Sequence, residues 1–417
     1  MKTIDRIKVF FHNMATLARP SPELREAFRS WISKTGVHVN DKTAMQITAV
    51  FACVRLLSEN IASLPFTIYR TTDKGKEKAT DRPDYQVFHD VWNPECDSFQ
   101  GWQVFLANLL IYGRGYAEVV RDAGGRIVQM WNITTPYVKV NRNDTGELEY
   151  IVTAPNKEVF TLRKDQIFRV DWFSMDGLNV YKPLQLVQNA LGLGIAAEEF
   201  ASNYFKNGAN VGGVVEYPEE MDEEAATRFR TSMREAYAGL SNTARLMFLE
   251  EGSKFTKITN SPEESQMLDT RKFQVREVAR FFNVPPHMIG DLEQATFSNI
   301  EQMSLNFVIY TLRPYFVRIE KAYAAQCLTP LERANTYAKF NAEGLLRGDY
   351  ASRMTGYATS RQNGWMSAND IRGLEDMDKI PADQGGDEYL ANGNLRSLRV
   401  LMNAAAPTST GTGGESK

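Results

Sequence analysis

Cysteine is scarce in this chain of 417 residues: Cys53, Cys96 and Cys327 are odd in number, far apart and form no C-x-x-C pair. That spacing excludes a zinc ribbon and a disulfide framework, and it suits a reducing compartment. The four histidines, His12, His38, His89 and His287, are scattered, and none has a partner at a metal-binding spacing such as H-E-x-x-H. No metal site is expected. There is no G-x-x-x-x-G-K-[ST] loop to cradle a triphosphate and no G-x-S-x-G nucleophile elbow. No catalytic residue and no cofactor are therefore expected. No apolar run reaches the roughly 18 residues that a membrane helix needs. The opening MKTIDRIKVFFHNMATL interrupts its apolar positions with Asp5 and His12, unlike a secretory signal. A net charge of -3 argues against gripping nucleic acid by counterion release.

What is present is long periodic structure. The length suits two or three structural units, and the first 180 residues read as an α+β unit. Ile4, Ile7, Phe10, Phe11, Met14 and Leu17 recur at helical spacing. A helix is predicted over Thr43 to Ser63, then a strand in LPFTIYRTTDKGKEKAT that leaves through a charged turn, then a helix in FQGWQVFLANLLIYG. Strands follow on both sides of the turns Asp122-Ala-Gly-Gly125 and Asn143-Asp-Thr-Gly146.

Pro183 opens a long helix that stops at Gly208. Ala190, Gly194, Ala197 and Ala201 form one small-residue stripe on it. Each helical glycine costs about 1 kcal/mol against alanine, so the stripe implies close approach of another helix. Val211 to Asn260 reads as a small α/β insertion, and a second long helix runs from Ser261 to Asn283. On it Lys272, Arg276 and Arg280 make one basic edge at i, i+4 and i+8. The stretch FNVPPHMIGDLEQATFSN then interrupts the helical pattern. Pro285 and Pro286 bar continuation, Gly290 permits a turn, and Ser298 with Glu301 forms a capping box that starts a third long helix. Pro314 lies within that helix and predicts a kink near Tyr310 to Pro314. Two or three short helices follow, and APTSTGTGGESK reads as a disordered tail.

The order of these segments resembles the portal proteins of tailed bacteriophages, in the HK97-like family. The strings that carry the likeness are LLSENIASLPFTIYR, GRGYAEVVRDAGGRIVQMWNITTPYVKV, VREVARFFNVPPHMIGDLEQATFSNIEQMSLNFVIYTLRPYFVRIE and GWMSANDIRGLEDM with GGDEYL. Gly113-Arg-Gly-Tyr116 and Tyr181-Lys-Pro-Leu184 depart from the family's usual Gly-Asn-Ala-Tyr and Ser-Pro-Leu. The resemblance implies an α+β portal fold: a wing in 1–180, a first stem helix in 181–208, a clip in 209–260 and a second stem helix in 261–284. A tunnel loop in 285–297, a kinked helix and wing return in 298–343, a crown in 344–403 and the tail in 404–417 complete it. It implies a homo-oligomeric ring, usually of twelve copies, at one vertex of the virion and assembled in the host cytoplasm, with no membrane. Double-stranded DNA would pass through it. The other implied partners are a terminase packaging ATPase, a head–tail adaptor, and the major capsid and scaffold proteins. The resemblance also places His287, Met288, Ile289, Gly290, Asp291, Leu292, Glu293, Gln294, Ala295 and Thr296 in the loop facing the channel. There Asp291 and Glu293 are expected to repel phosphate. A DNA-processing, metal-dependent enzyme is the alternative class, and the missing carboxylate array counts against it.

Overall fold

The computed structural model describes residues 31–73, 75–154, 156–206, 213–216, 222–224, 226–228, 231, 254–257, 264–293, 303–342, 350–375 and 377–390. Contacts divide the chain into two compact units, Met1–Ala342 and Glu343–Lys417.

The first unit begins with a short antiparallel pair, β1 (Trp31–Ile32) and β2 (His38–Val39). The helix predicted over Thr43 to Ser63 is two helices, α1 (Asp41–Gln46) and α2 (Thr48–Ala62), because Ile47 between them takes extended backbone at φ -73° and ψ 113°. Asn40 fixes the start of α1, its side chain accepting from the Thr43 N–H at 2.9 Å. β3 (Phe66–Thr72) and β4 (Gly75–Lys78) form a hairpin, and α3 (Pro83–His89) follows. Asp97 caps α4 (Ser98–Tyr112) by accepting from the Gln100 N–H at 2.7 Å, and Gly113, left-handed at φ 81°, ends it. Next come β5 (Arg114–Arg121), β6 (Ile127–Ile133), β7 (Val138–Arg142), β8 (Leu148–Thr153), β9 (Val159–Arg163) and β10 (Ile167–Asp171). They make two antiparallel sheets, ordered β10-β5-β6 and β7-β8-β9.

The core of this unit is aromatic. Phe66, Phe88, Trp92, Trp102, Phe105 and Phe168 are all buried and meet at ring separations such as 5.0 Å for Trp92 and Trp102. Each side chain of this kind contributes about 1.5–3 kcal/mol by leaving water. The close packing constrains Gly101, where a Cβ would stand 2.3 Å from Cγ of Trp92.

The long helices are α5 (Pro183–Lys206) and α6 (Glu264–Phe281), and between them β11 (Gly213–Glu216) pairs antiparallel with β12 (Lys254–Lys257). After the interrupting segment, a π-helical turn at Phe307–Leu312 leads into α7 (Arg313–Gln326). β13 (Thr336–Phe340) then pairs with β3, placing Phe340 opposite Phe66. The strand after α7 is thus fastened to β3. A buried ionic group locks the same place: Tyr323 donates to Asp84 at 2.6 Å, and Arg82 binds Asp84 at 2.8 Å and Glu332 at 2.7 Å. Burying Asp84 is tolerable because its charge is paired and hydrogen-bonded.

In the second unit α8 (Tyr350–Gln362) and α9 (Ala368–Leu374) are short helices. Ser367 caps α9 in a reciprocal box with Asp370, and buried Asn369 ties the following chain to it through Ile380 and Asp387. The helix predicted from Ile4 to Leu17, most of the 209–260 insertion, the Ser298–Glu301 box and the 404–417 tail lie outside the described residues.

Candidate functional site

α5 and α6 lie side by side and antiparallel. The start of α5 and the end of α6 both reach the chain after β10, where Phe173 meets Tyr181 at 5.7 Å and Trp172 meets Phe281 at 6.1 Å, both as tilted ring pairs. Midway, Gly194 faces Gln274: a Cβ on Gly194 would fall 1.3 Å from the Gln274 amide nitrogen. Gly194 thus sits closely against a helix of its own chain. Ala190, Ala197 and Ala201 on the same stripe are half-buried.

At its far end α6 terminates in a Schellman motif. Asn283 is left-handed at φ 55°, its N–H bonds to the Arg280 carbonyl at 3.1 Å, and the Val284 N–H bonds to the Ala279 carbonyl at 2.8 Å. Buried Val284 covers the turn. Asparagine tolerates this conformation better than other non-glycine residues. Pro286–Ile289 then forms one 3-10 turn, Gly290 turns the chain at φ 93°, and the Asp291 N–H returns to the Pro286 carbonyl at 3.1 Å.

This turn delivers acids to the basic edge of α6. Arg276 binds Asp291 at 2.7 Å and also Glu293, and Lys272 binds Glu293. The Arg276 guanidinium holds the Asp291 carboxyl below the usual carboxylate range, and Lys272, followed by Arg276, does the same for Glu293. Asp291 and Glu293, expected to repel phosphate, are each ion-paired to the basic edge of α6. Arg280, the third member of the basic edge, pairs with Glu277. His287 and Met303 join Arg276, Arg280 and Asp291 around a cleft of about 280 Å³. Leu292 is 64% exposed, while Met288 and Ile289 are half-buried. Gln294, Ala295 and Thr296 lie outside the described residues.

The same joint holds the third long helix. Thr311 donates to the Asn283 carbonyl at 2.6 Å, and the Asn283 amide donates to Thr311 at 3.1 Å and to the Tyr310 carbonyl at 3.3 Å. Tyr310 is the residue whose carbonyl Pro314, lacking an N–H, leaves without its i+4 partner. Where a kink is expected, the chain forms a π turn, with the Arg313 N–H bonded to the Val308 carbonyl. Arg318, one turn beyond Pro314, donates to the Asp171 carbonyl at 3.0 Å and to that of Trp172. The end of α6, the loop and the proline-bearing helix are thus one fastened assembly. Sequence reasoning ended the helix at Asn283 but missed its role as the left-handed cap, although an asparagine just before Val-Pro-Pro is a recognisable helix-ending signal.

Chemistry has little to work with. Among the described residues no group of three or more His, Cys, Asp or Glu could hold a metal, and no helix is long and apolar enough to cross a membrane. Burial pushes the Cys53 thiol up to about 12, and Cys327 is pushed up likewise, so neither is a poised nucleophile.

The chain belongs to the phage portal protein family, whose model matches residues 48–376. It is 32% identical over 377 residues to the probable portal protein of Streptomyces phage phiC31, covering 87% of this chain and 81% of that one. It is 29% identical to the portal protein of Enterobacteria phage HK97, covering 89% of this chain and 88% of the relative. Its fold matches an HK97-family phage portal protein from Corynebacterium diphtheriae with a TM-score of 0.56 at 17% identity, covering 77% and 98% of the two chains. It also matches a chain from the virion of a native gene transfer agent particle with a TM-score of 0.57 at 20% identity, covering 90% and 100%. As a portal protein it is a structural protein and not an enzyme.

Proposed function

We propose that twelve copies of this chain form a ring at one vertex of the virion, through which double-stranded DNA is packaged and later ejected. In this reading 1–180 is the wing, α5 and α6 are the stem, 209–260 is the clip, 285–297 is the tunnel loop, and 344–403 supplies the crown. The clip docks a terminase ATPase during packaging and a head–tail adaptor afterwards. The major capsid protein and scaffold protein surround the ring, which assembles in the host cytoplasm. The observation that carries the reading is the α5–α6 hairpin, which bounds an inserted module at one end and at the other turns into a loop tied to its own basic edge. The neck of a gene transfer agent particle, described with C12 symmetry, contains a chain of the same fold and supports the ring number. A loop whose acids are already paired offers DNA a nearly neutral surface, which suits sliding over gripping.

Native mass measurement with negative-stain imaging tests this. A ring of twelve 47.2 kDa chains weighs about 570 kDa. A chain that stays monomeric at every concentration and salt, and that cleaves or modifies DNA with a divalent metal, would replace the ring reading with the enzyme one. Deleting 213–257 with a short linker should leave the remainder folded and abolish adaptor and terminase binding; retained binding would move the docking site elsewhere.

A further inference from the structure

A second cleft, of about 310 Å³, opens where β8, β10 and α7 meet, far in sequence from the loop. Tyr150 and Val170 floor it, Ala322 and Ala325 line it from α7, and Lys164, Arg169 and Arg318 bring charge to it. Arg114, behind Arg169 on β5, adds a third guanidinium. Asp171 is shared between two of them, 3.0 Å from Arg114 and 3.2 Å from Arg169. Neither contact has the alignment of a hydrogen bond, and Nε of Arg114 and Oδ1 of Asp171 are both buried without one. Glu118 is the other acid on this face of the sheet, two register steps along β5 and opposite Ile167.

Four cations, Arg114, Arg169, Arg318 and Lys164, therefore stand against two carboxylates. The side chains of Arg114 and Arg169 are only 12% and 17% exposed, so water screens little of the excess. Their own bonds go to neutral acceptors: Arg169 donates to the Tyr150 hydroxyl at 3.1 Å and Arg114 to the Tyr116 hydroxyl at 3.3 Å. Arg318 spends one nitrogen on the carbonyls of Asp171 and Trp172, and its Nε and Nη2 have no acceptor among the described residues. Lys164 makes no ion pair among them either. Charge held away from water calls for a counter-ion, and forked guanidiniums favour an acceptor with several oxygens.

We infer that this cleft binds a small oxyanion of the phosphate class, held by Arg169, Arg318 and Lys164. The anion would join the β7-β8-β9 sheet to β10 and α7, so its presence should be read as stability of the whole chain.

Thermal unfolding of the full chain in inorganic phosphate, against sodium chloride at equal ionic strength, is the test. Phosphate should raise the midpoint saturably, with half-effect on the order of 1 mM. Lys164→Ala, an exposed change, should weaken that response several-fold, and Arg318→Lys should weaken it further. Phosphate should also shield Arg318 from phenylglyoxal, read by peptide mass spectrometry, while exposed Arg163 reacts as before. This second readout stands even if Arg318→Lys does not fold. Equal midpoints in phosphate and chloride, a response unchanged by Lys164→Ala, or equal modification of Arg318 with and without phosphate would each overturn the site.

Discussion

Asn283 holds three things at once, and its replacement separates them. Asn283→Ala removes the two amide bonds to Tyr310 and Thr311 and puts an alanine into the left-handed region at φ 55°. The bonds are long and partly exposed, so together they contribute about 1 kcal/mol, the low end for a pair. The left-handed backbone adds about 1 kcal/mol, since alanine lacks the local tolerance of asparagine. Asn283→Gly loses the bonds and keeps the conformation, so it should cost about 1 kcal/mol against about 2 kcal/mol for alanine. Thr311→Val, nearly isosteric at a position only 4% exposed, strands the Asn283 carbonyl and should cost about 1–3 kcal/mol. Urea unfolding followed by tryptophan fluorescence measures all three, with Trp172 packed against Phe281 beside the joint. If both variants match the wild type, the joint is incidental; if they match each other below it, the left-handed turn carries no weight.

Arg276→Gln should free the segment after Pro286: amide exchange at 288–293 should rise while exchange in β5 and β10 stays unchanged, and equal protection in both proteins would mean that the ion pairs do not hold the loop. The folded pKa values of Asp291 and Glu293 are lowered, so the docked state keeps its full ionic stabilisation above the ordinary carboxylate value of about 4 and loses it as pH falls through the lowered values. Amide exchange corrected for intrinsic rate should thus show opening only in acid and in high salt; opening between pH 8 and 6 would contradict the pairing. Gly194→Ala should be tolerated, because the Gln274 side chain can swing aside, whereas Gly194→Leu should cost about 1–3 kcal/mol by overpacking α5 on α6. Gly101→Ala should destabilise by a similar amount or more, since the ring of buried Trp92 has nowhere to go; a variant that melts with the wild type would show that this core is loose.

Much of the element order was legible because its signals are local. Pro183 and the Asn143–Gly146 turn each set a boundary through their own backbone chemistry, and the structure places elements accordingly. The break at Ile47 was not legible, because neither glycine nor proline marks it and apolar periodicity runs straight through. Nor were α3, β9 or β10, short segments whose place depends on partners distant in sequence. At the candidate site the basic edge and the acidic loop could each be read singly. Their union could not: it needs the 3-10 turn and the left-handed Gly290 to reverse the chain, a geometry that charge spacing along one helix does not encode.

The π turn at Phe307–Leu312 acts on the long helix as a shift of reading frame. Each side keeps an ordinary helical period, with Phe316, Ile319 and Tyr323 buried on one side of the turn and Phe307, Val308, Thr311 and Leu312 buried within it. Across the turn the two frames differ by one residue, which is about 100° of rotation. Length and facing are therefore separate variables here: deleting one residue from this turn would leave α7 a good helix, yet would point Met303 to Asn306 ahead of the turn in a different direction.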